Sequence, residues 1–149
     1  MTYEHQFTTS APVERVAAFH RMASSLAAIT PPPILARVSA APEELGEGDE
    51  MAFTLWLGPL PIRWRARIEN VSEQGFVDRQ VEGPFRAWRH HHRFEPLAHG
   101  GTRIADRIEY EYRRSPLWAA VGLGMTLGLP LLFAYRGWRT RALLEGADG

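Results

Sequence analysis

Hydrophobic and polar residues alternate with a period of two along most of the middle of the chain, which is the pattern of strands with one buried face. Ile62 to Val71 shows it most cleanly: Ile62, Trp64, Ala66 and Ile68 fall on one face and Arg63, Arg65, Arg67 and Glu69 on the other. Two further runs flank a Gly100-Gly101 turn. Their even positions collect Trp88, His90, His92 and Phe94, then Ile104, Asp106, Ile108, Tyr110 and Tyr112, while the odd positions carry Arg89, His91, Arg93, Glu95, Arg103, Arg107, Glu109 and Glu111. The even face is therefore the inner one. Tyr3–Thr9, Ile34–Ser39, Met51–Leu57 and Phe76–Val81 read as further strands, the last placing Phe76, Asp78 and Gln80 on one face.

The period becomes helical in two places. Ser10 is positioned to cap a first helix, with Pro12 in its first turn and Val13, Val16, Ala17 and Phe19 as its apolar stripe. A second short helix is expected over Met22–Ile29, ended by the prolines at 31–33. From Pro116 to about Glu145 the chain is helical again, in two segments meeting at Pro130. In the second of these, Leu131, Tyr135, Trp138 and Ala142 are expected to form the apolar face, with Arg136, Arg139 and Arg141 pointing elsewhere. One strand, two short helices, about six antiparallel strands and a long final helix make an α+β architecture in one domain, with the helix covering a curved sheet and a cleft between them.

Composition narrows the chemistry. The 149 residues hold 17 basic and 17 acidic side chains, so no net field favours nucleic acid, and none is expected as a partner. Every basic residue apart from histidine is arginine, which excludes a Schiff-base lysine and a Walker-type phosphate loop. Cysteine is absent too, which removes thiol nucleophiles and thiolate metal sites. The basic outer row at Arg63, Arg65, Arg67, Arg89 and Arg93 is interleaved with Glu69, Glu95, Glu109 and Glu111, as in a solvated face rather than an RNA platform. The N-terminal segment lacks a basic stretch followed by an apolar one, and a cytoplasmic protein is expected.

Leu117 to Tyr135 contains nineteen residues without a charge. Its three glycines and Pro130 favour a core helix with an apolar outer side over a membrane span. A helix apolar all round must be covered. A homodimer formed partly through this segment is expected, with glycines 122, 124 and 128 permitting close helix approach, and peripheral membrane contact is the alternative.

The run Phe76-x-Asp78-x-Gln80-x-x-Gly83-Pro84-Phe85-x-x-Trp88-x-His90-x-His92-x-Phe94-Glu95-Pro96, then Gly100-Gly101-Thr102-Arg103 with Asp106, then Phe133-Ala134-Tyr135-Arg136, resembles a bacterial branch of the START-like, or SRPBCC, superfamily. The order of elements resembles that superfamily across essentially the whole chain. The resemblance implies a helix-grip fold, in which a curved antiparallel sheet of six to seven strands wraps a long C-terminal helix, with two short helices after strand 1. It implies a cavity for a hydrophobic or amphipathic ligand and no cofactor or metal. Polyketide cyclases belong to this superfamily, and the branch also occurs beside sugar-nucleotide epimerase-like domains.

Polar groups on an apolar inner face need partners. His90, His92 and Asp106 are the candidate catalytic residues, with one imidazole held by Asp106 or Asp78 as a general base for aldol closure or dehydration. The same three residues could ligate a divalent ion, but no fourth ligand is evident and no metal is expected. A hydrogen-bonded network completed by Gln80 or a tyrosine hydroxyl is the favoured alternative. The expected ligand-binding set is Trp64, Asp78, Gln80, Trp88, His90, His92, Asp106 and Tyr110, with a small hydrophobic ligand as the partner.

Overall fold

The structure, a computed structural model, describes residues 1–146. Seven strands form one antiparallel sheet: β1 (Thr2–Thr9), β2 (Leu35–Ala40), β3 (Glu50–Leu57), β4 (Leu60–Ser72), β5 (Gly75–Glu82), β6 (Ala87–Pro96) and β7 (Thr102–Glu111). Their spatial order is β1-β7-β6-β5-β4-β3-β2. Sequential strands from β2 to β7 pair with one another, through a loop of residues 41–49 between β2 and β3 and shorter turns thereafter, whereas β1 pairs with β7, setting Phe7 opposite Ile104 and His5 opposite Asp106. The first and second strands are thus opposite edges of the sheet. Helices α1 (Val13–Arg21) and α2 (Ser25–Ala28) carry the chain between them. Helices α3 (Pro116–Leu127) and α4 (Leu129–Gly146) follow the last strand and meet at a bend of 47°. The bend falls at Gly128, two residues before Pro130, whose ring cannot continue a helical ladder.

Period-two patterning is reproduced on β4, β6 and β7, whereas on β5 the consecutive residues Phe76 and Val77 are both buried. Ile62, Trp64, Ala66 and Ile68 are buried on β4, Phe94 on β6, and Ile104 and Ile108 on β7. Val16 and Ala17 of α1 and Leu129, Phe133 and Leu144 of α4 close the core from the other side. The outer arginines pair with carboxylates across strands: Arg67 with Glu50 at 2.6 Å, Arg79 with Glu69 at 2.8 Å, and Arg65 with Glu82. Gly75, which opens β5, has φ 147°, and a Cβ there would lie 2.0 Å from the His92 carbonyl oxygen. Only glycine lets β5 approach β6 this closely beside His92.

Three local expectations are corrected. Ser10 does not cap α1, whose N-cap is Pro12 without a side-chain bond. Its amide and hydroxyl instead both donate to Glu145 Oε1 at 3.1 Å, tying the end of β1 to the end of α4. The second helix is confined to Ser25–Ala28, because Met22 pairs with Glu44 and the Ala23 amide donates to the Glu43 carbonyl. Backbone bonds to the preceding loop of β3 have replaced the first helical turn.

The third correction concerns α4. Its buried residues are Leu129, Phe133, Gly137, Thr140 and Leu144, while Leu131 is 80% and Trp138 62% exposed. Leu131, Trp138 and Ala142 of the expected apolar face are exposed, and Arg136 is drawn inward instead. Small residues decide the orientation: Gly137 sits against the Phe7 ring, where a Cβ would be 3.4 Å away, so α4 packs tightly on β1. Gly122 serves a similar purpose on α3, its Cα facing Tyr112 and Phe85 rather than a second helix. The Tyr112 hydroxyl bonds the Thr126 hydroxyl at 2.5 Å and fixes α3 over the end of β7.

Candidate functional site

Strand register creates a compact polar cluster. Asp78 on β5 lies opposite His90 on β6, and His92 lies opposite Asp106 on β7. All four side chains point to the inner face. The two imidazoles stack with centroids 3.7 Å apart and planes at 26°. His90 Nε2 donates to Asp106 Oδ1 at 2.8 Å, and His92 Nε2 donates to Asp78 Oδ2 at 2.5 Å. The other ring nitrogens lie close to the opposite carboxylates, His90 Nδ1 at 3.5 Å from Asp78 and His92 Nδ1 at 3.6 Å from Asp106.

The electrostatics follow from burial and pairing. Burial alone would raise both carboxylates, yet the facing histidines outweigh it: Asp78 is held below its ordinary range and Asp106 at about 2. Both are therefore ionised at neutral pH, which places the shared protons on the imidazole Nε2 atoms. Burial and the neighbouring His92 lower the pKa of His90.

This cluster forms one wall of a cavity of about 160 Å³ between the sheet, α1, α2 and the last two helices. Phe53, Trp64, Trp88, Met125 and Leu132 supply its apolar walls. Trp88 stands edge-on to Trp64 at 5.1 Å. Of the expected residues, Trp64, Asp78, Trp88, His90 and His92 line this space. Asp106 is 7% exposed and supports His90 from behind. Gln80 does not reach the cavity: its amide donates to the Phe85 carbonyl at 2.9 Å and its oxygen accepts from the Phe85 amide at 3.1 Å, closing the β5–β6 turn. Tyr110 packs against Trp88 and Phe85 outside the lining.

Two ionisable lining residues were not anticipated. His20, in the last turn of α1, continues the stripe begun by Val13 and Val16, so helical spacing alone could have found it. Its Nδ1–H donates to the Val16 carbonyl at 2.8 Å, and burial reinforced by His92 holds its pKa at about 4. Arg136 enters from α4, one turn after Phe133, whose ring lies 5.4 Å from its guanidinium carbon. Burial lowers its pKa, opposed by the charges of Asp106 and Asp78. Nothing in the sequence pattern turned this arginine inward.

Asp78, His90 and His92 offer ligand atoms within 4.8 Å of one another, so the three could contact one divalent ion. Such an ion would have to displace the proton between His92 and Asp78 and sit near the Arg136 charge. The arrangement suits hydrogen bonding and proton transfer better than ligation.

No family model matches the chain, and no curated protein sequence does. Solved structures do. A Chromobacterium violaceum protein, CV1439, superposes with TM-score 0.76 over 97% of this chain and 98% of its own, at 15% identity. Norcoclaurine synthase from Thalictrum flavum, a point mutant in complex with a transition-state analogue, gives 0.73 over 100% and 96%, at 14% identity. A nucleoside-diphosphate sugar epimerase from Corynebacterium glutamicum is 27% identical over 97% of this chain, with TM-score 0.65. That match covers 29% of the epimerase, so this chain corresponds to under a third of its length. With its open seven-stranded antiparallel sheet, two short helices after the first strand and a long C-terminal helical arm over the concave face, the chain has the helix-grip fold of the START-like, or SRPBCC, superfamily.

Proposed function

We propose that this chain binds a small hydrophobic or amphipathic ligand between the sheet and the C-terminal helices. The observation that carries this reading is the cavity itself, in which apolar and aromatic walls enclose a small number of convergent polar groups. Norcoclaurine synthase, which shares the fold, accommodates a transition-state analogue, and that supports the use of such a scaffold for small organic molecules. Purified protein should enhance the fluorescence of Nile red. Trp88→Ala should weaken displacement of the dye by hydrophobic competitors about tenfold, roughly 1.4 kcal/mol, with an unchanged circular dichroism spectrum. A dye-inert protein would show that the interior is filled.

The paired His–Asp contacts support a second reading, a cyclase or dehydratase-like enzyme using the same cavity. Each imidazole has a carboxylate on Nε2 to fix its tautomer, and His92 Nδ1 has no hydrogen-bond partner. On this reading His92→Ala abolishes turnover of a poly-β-ketone analogue while Nile red still binds. Variants at His90, His92 and Asp106 that only melt earlier make the cluster structural.

A further inference from the structure

Arg136 is the charged donor of the cavity that the fold leaves unsatisfied; the other unpartnered lining atom, His92 Nδ1, is an acceptor in the tautomer that Asp78 fixes. Its Nε is buried without a hydrogen-bond partner. Arg21 and Arg65 also have an unpartnered buried Nε, but each guanidinium contacts a glutamate, Glu44 and Glu82 respectively. The nearby arginines 139 and 141 donate to the backbone carbonyls of Ala28 and Thr8. Among the described residues Arg136 has no such contact, only the Phe133 ring and the more distant fields of Asp78 and Asp106.

Those two carboxylates are already engaged, each accepting an imidazole N–H. A guanidinium cannot shed its proton to escape burial. Holding it at an apolar cavity is costly until a counter-charge arrives.

The geometry points to a ligand that carries a carboxylate, bound by Arg136, with its apolar body against Trp64 and Trp88. This rests on the ligand-binding reading above and names the ligand class. A planar carboxylate matches the fork of guanidinium donors and brings one negative charge to one positive charge. A phosphate would bring nearly two charges toward Asp78 and Asp106, both ionised. The remaining polar atoms agree with this assignment. The neutral His20 ring, its Nδ1–H committed to Val16, has only an acceptor nitrogen left and offers an acid no competing donor.

The test uses Nile red displacement by 2-naphthoate and decanoate, each against its neutral primary amide. Wild-type protein should bind at least one acid tenfold or more tighter than the matching amide. Arg136→Met should remove that preference, leave amide and dye affinity within about threefold, and melt no lower than wild type, since a neutral chain of similar length relieves an unpaired charge. Arg136→Lys should keep part of the preference. Equal binding of acid and amide by wild type, failure of both acids to displace bound dye, or a preference that survives Arg136→Met overturns the assignment. If Nile red itself does not bind, the cavity reading fails first; dye and amide binding without acid preference overturns the carboxylate alone.

Discussion

His20 shows how one side chain couples the cavity to stability. Its ring is half-buried, 4.8 Å from Phe94 and 6.1 Å from His92 between centroids, and its pKa is held at about 4 against an ordinary 6.5. The folded chain therefore keeps it neutral over a range in which the unfolded chain protonates it. Unfolding is favoured as pH falls from 6.5 toward 4, and stability rises in the opposite direction. Between pH 7.5 and 5 this should cost about 2 kcal/mol. Asp106, held at about 2, adds a further loss as pH falls through about 3.8, where the unfolded carboxyl is half protonated, toward 2. Urea midpoints across that interval should show the slope in wild type and a shallower one in His20→Phe, the remainder coming from His90, whose pKa burial also lowers. The same slope in both proteins would remove His20 as its source. At this scale the sequence was informative where alternation was regular, which is why His90, His92 and Asp106 were placed inward correctly. Gln80 shares that face, opposite buried Ala66, but its side chain is taken up by the Phe85 backbone and does not reach the cavity. The pairing slips just after it, with Val81 as the extra residue between Gln80 and Glu82, a bulge that alternation does not reveal.

The α3–α4 arm poses the question at the scale of elements. No single helix among the described residues is long and apolar enough to cross a membrane, and the two helices that together approach that length are bent apart. Their outer side exposes Leu117, Leu123, Leu127, Leu131 and Trp138. This much exposed apolar side chain on one helical arm is uncommon on a monomer in water. Association of two copies through it is the expected outcome, though not through Gly122, which is spent against Tyr112 and Phe85. Sedimentation velocity should give a dimer that Leu131→Glu converts to monomer without loss of helical signal. A wild-type monomer at every concentration, with no binding to phospholipid vesicles, would contradict both a dimer and a membrane contact. The sequence identified the charge-free run but not its outward stripe. An element apolar on several sides carries no periodic signal for the side that will be buried.

Across the whole molecule, local pattern determined a great deal. Period-two alternation with short turns specified an antiparallel sheet and its inner face, proline and glycine positions ended the helices, and the absence of cysteine and lysine limited the chemistry. These are properties of neighbouring residues, so neighbouring residues reveal them. The site needed contacts between distant ones. Pairing of β1 with β7 sets Thr2 opposite Glu109 and gives α4 the surface on which Gly137 meets Phe7. That contact fixes the rotation of α4 about its axis, turning Phe133 and Arg136 toward the cavity and Leu131 and Trp138 toward solvent. The aspartate–histidine cluster could be read from alternation along β5, β6 and β7. The unpaired arginine opposite it was decided by tertiary packing, because a helix with apolar residues on more than one side takes its orientation from the surface it meets.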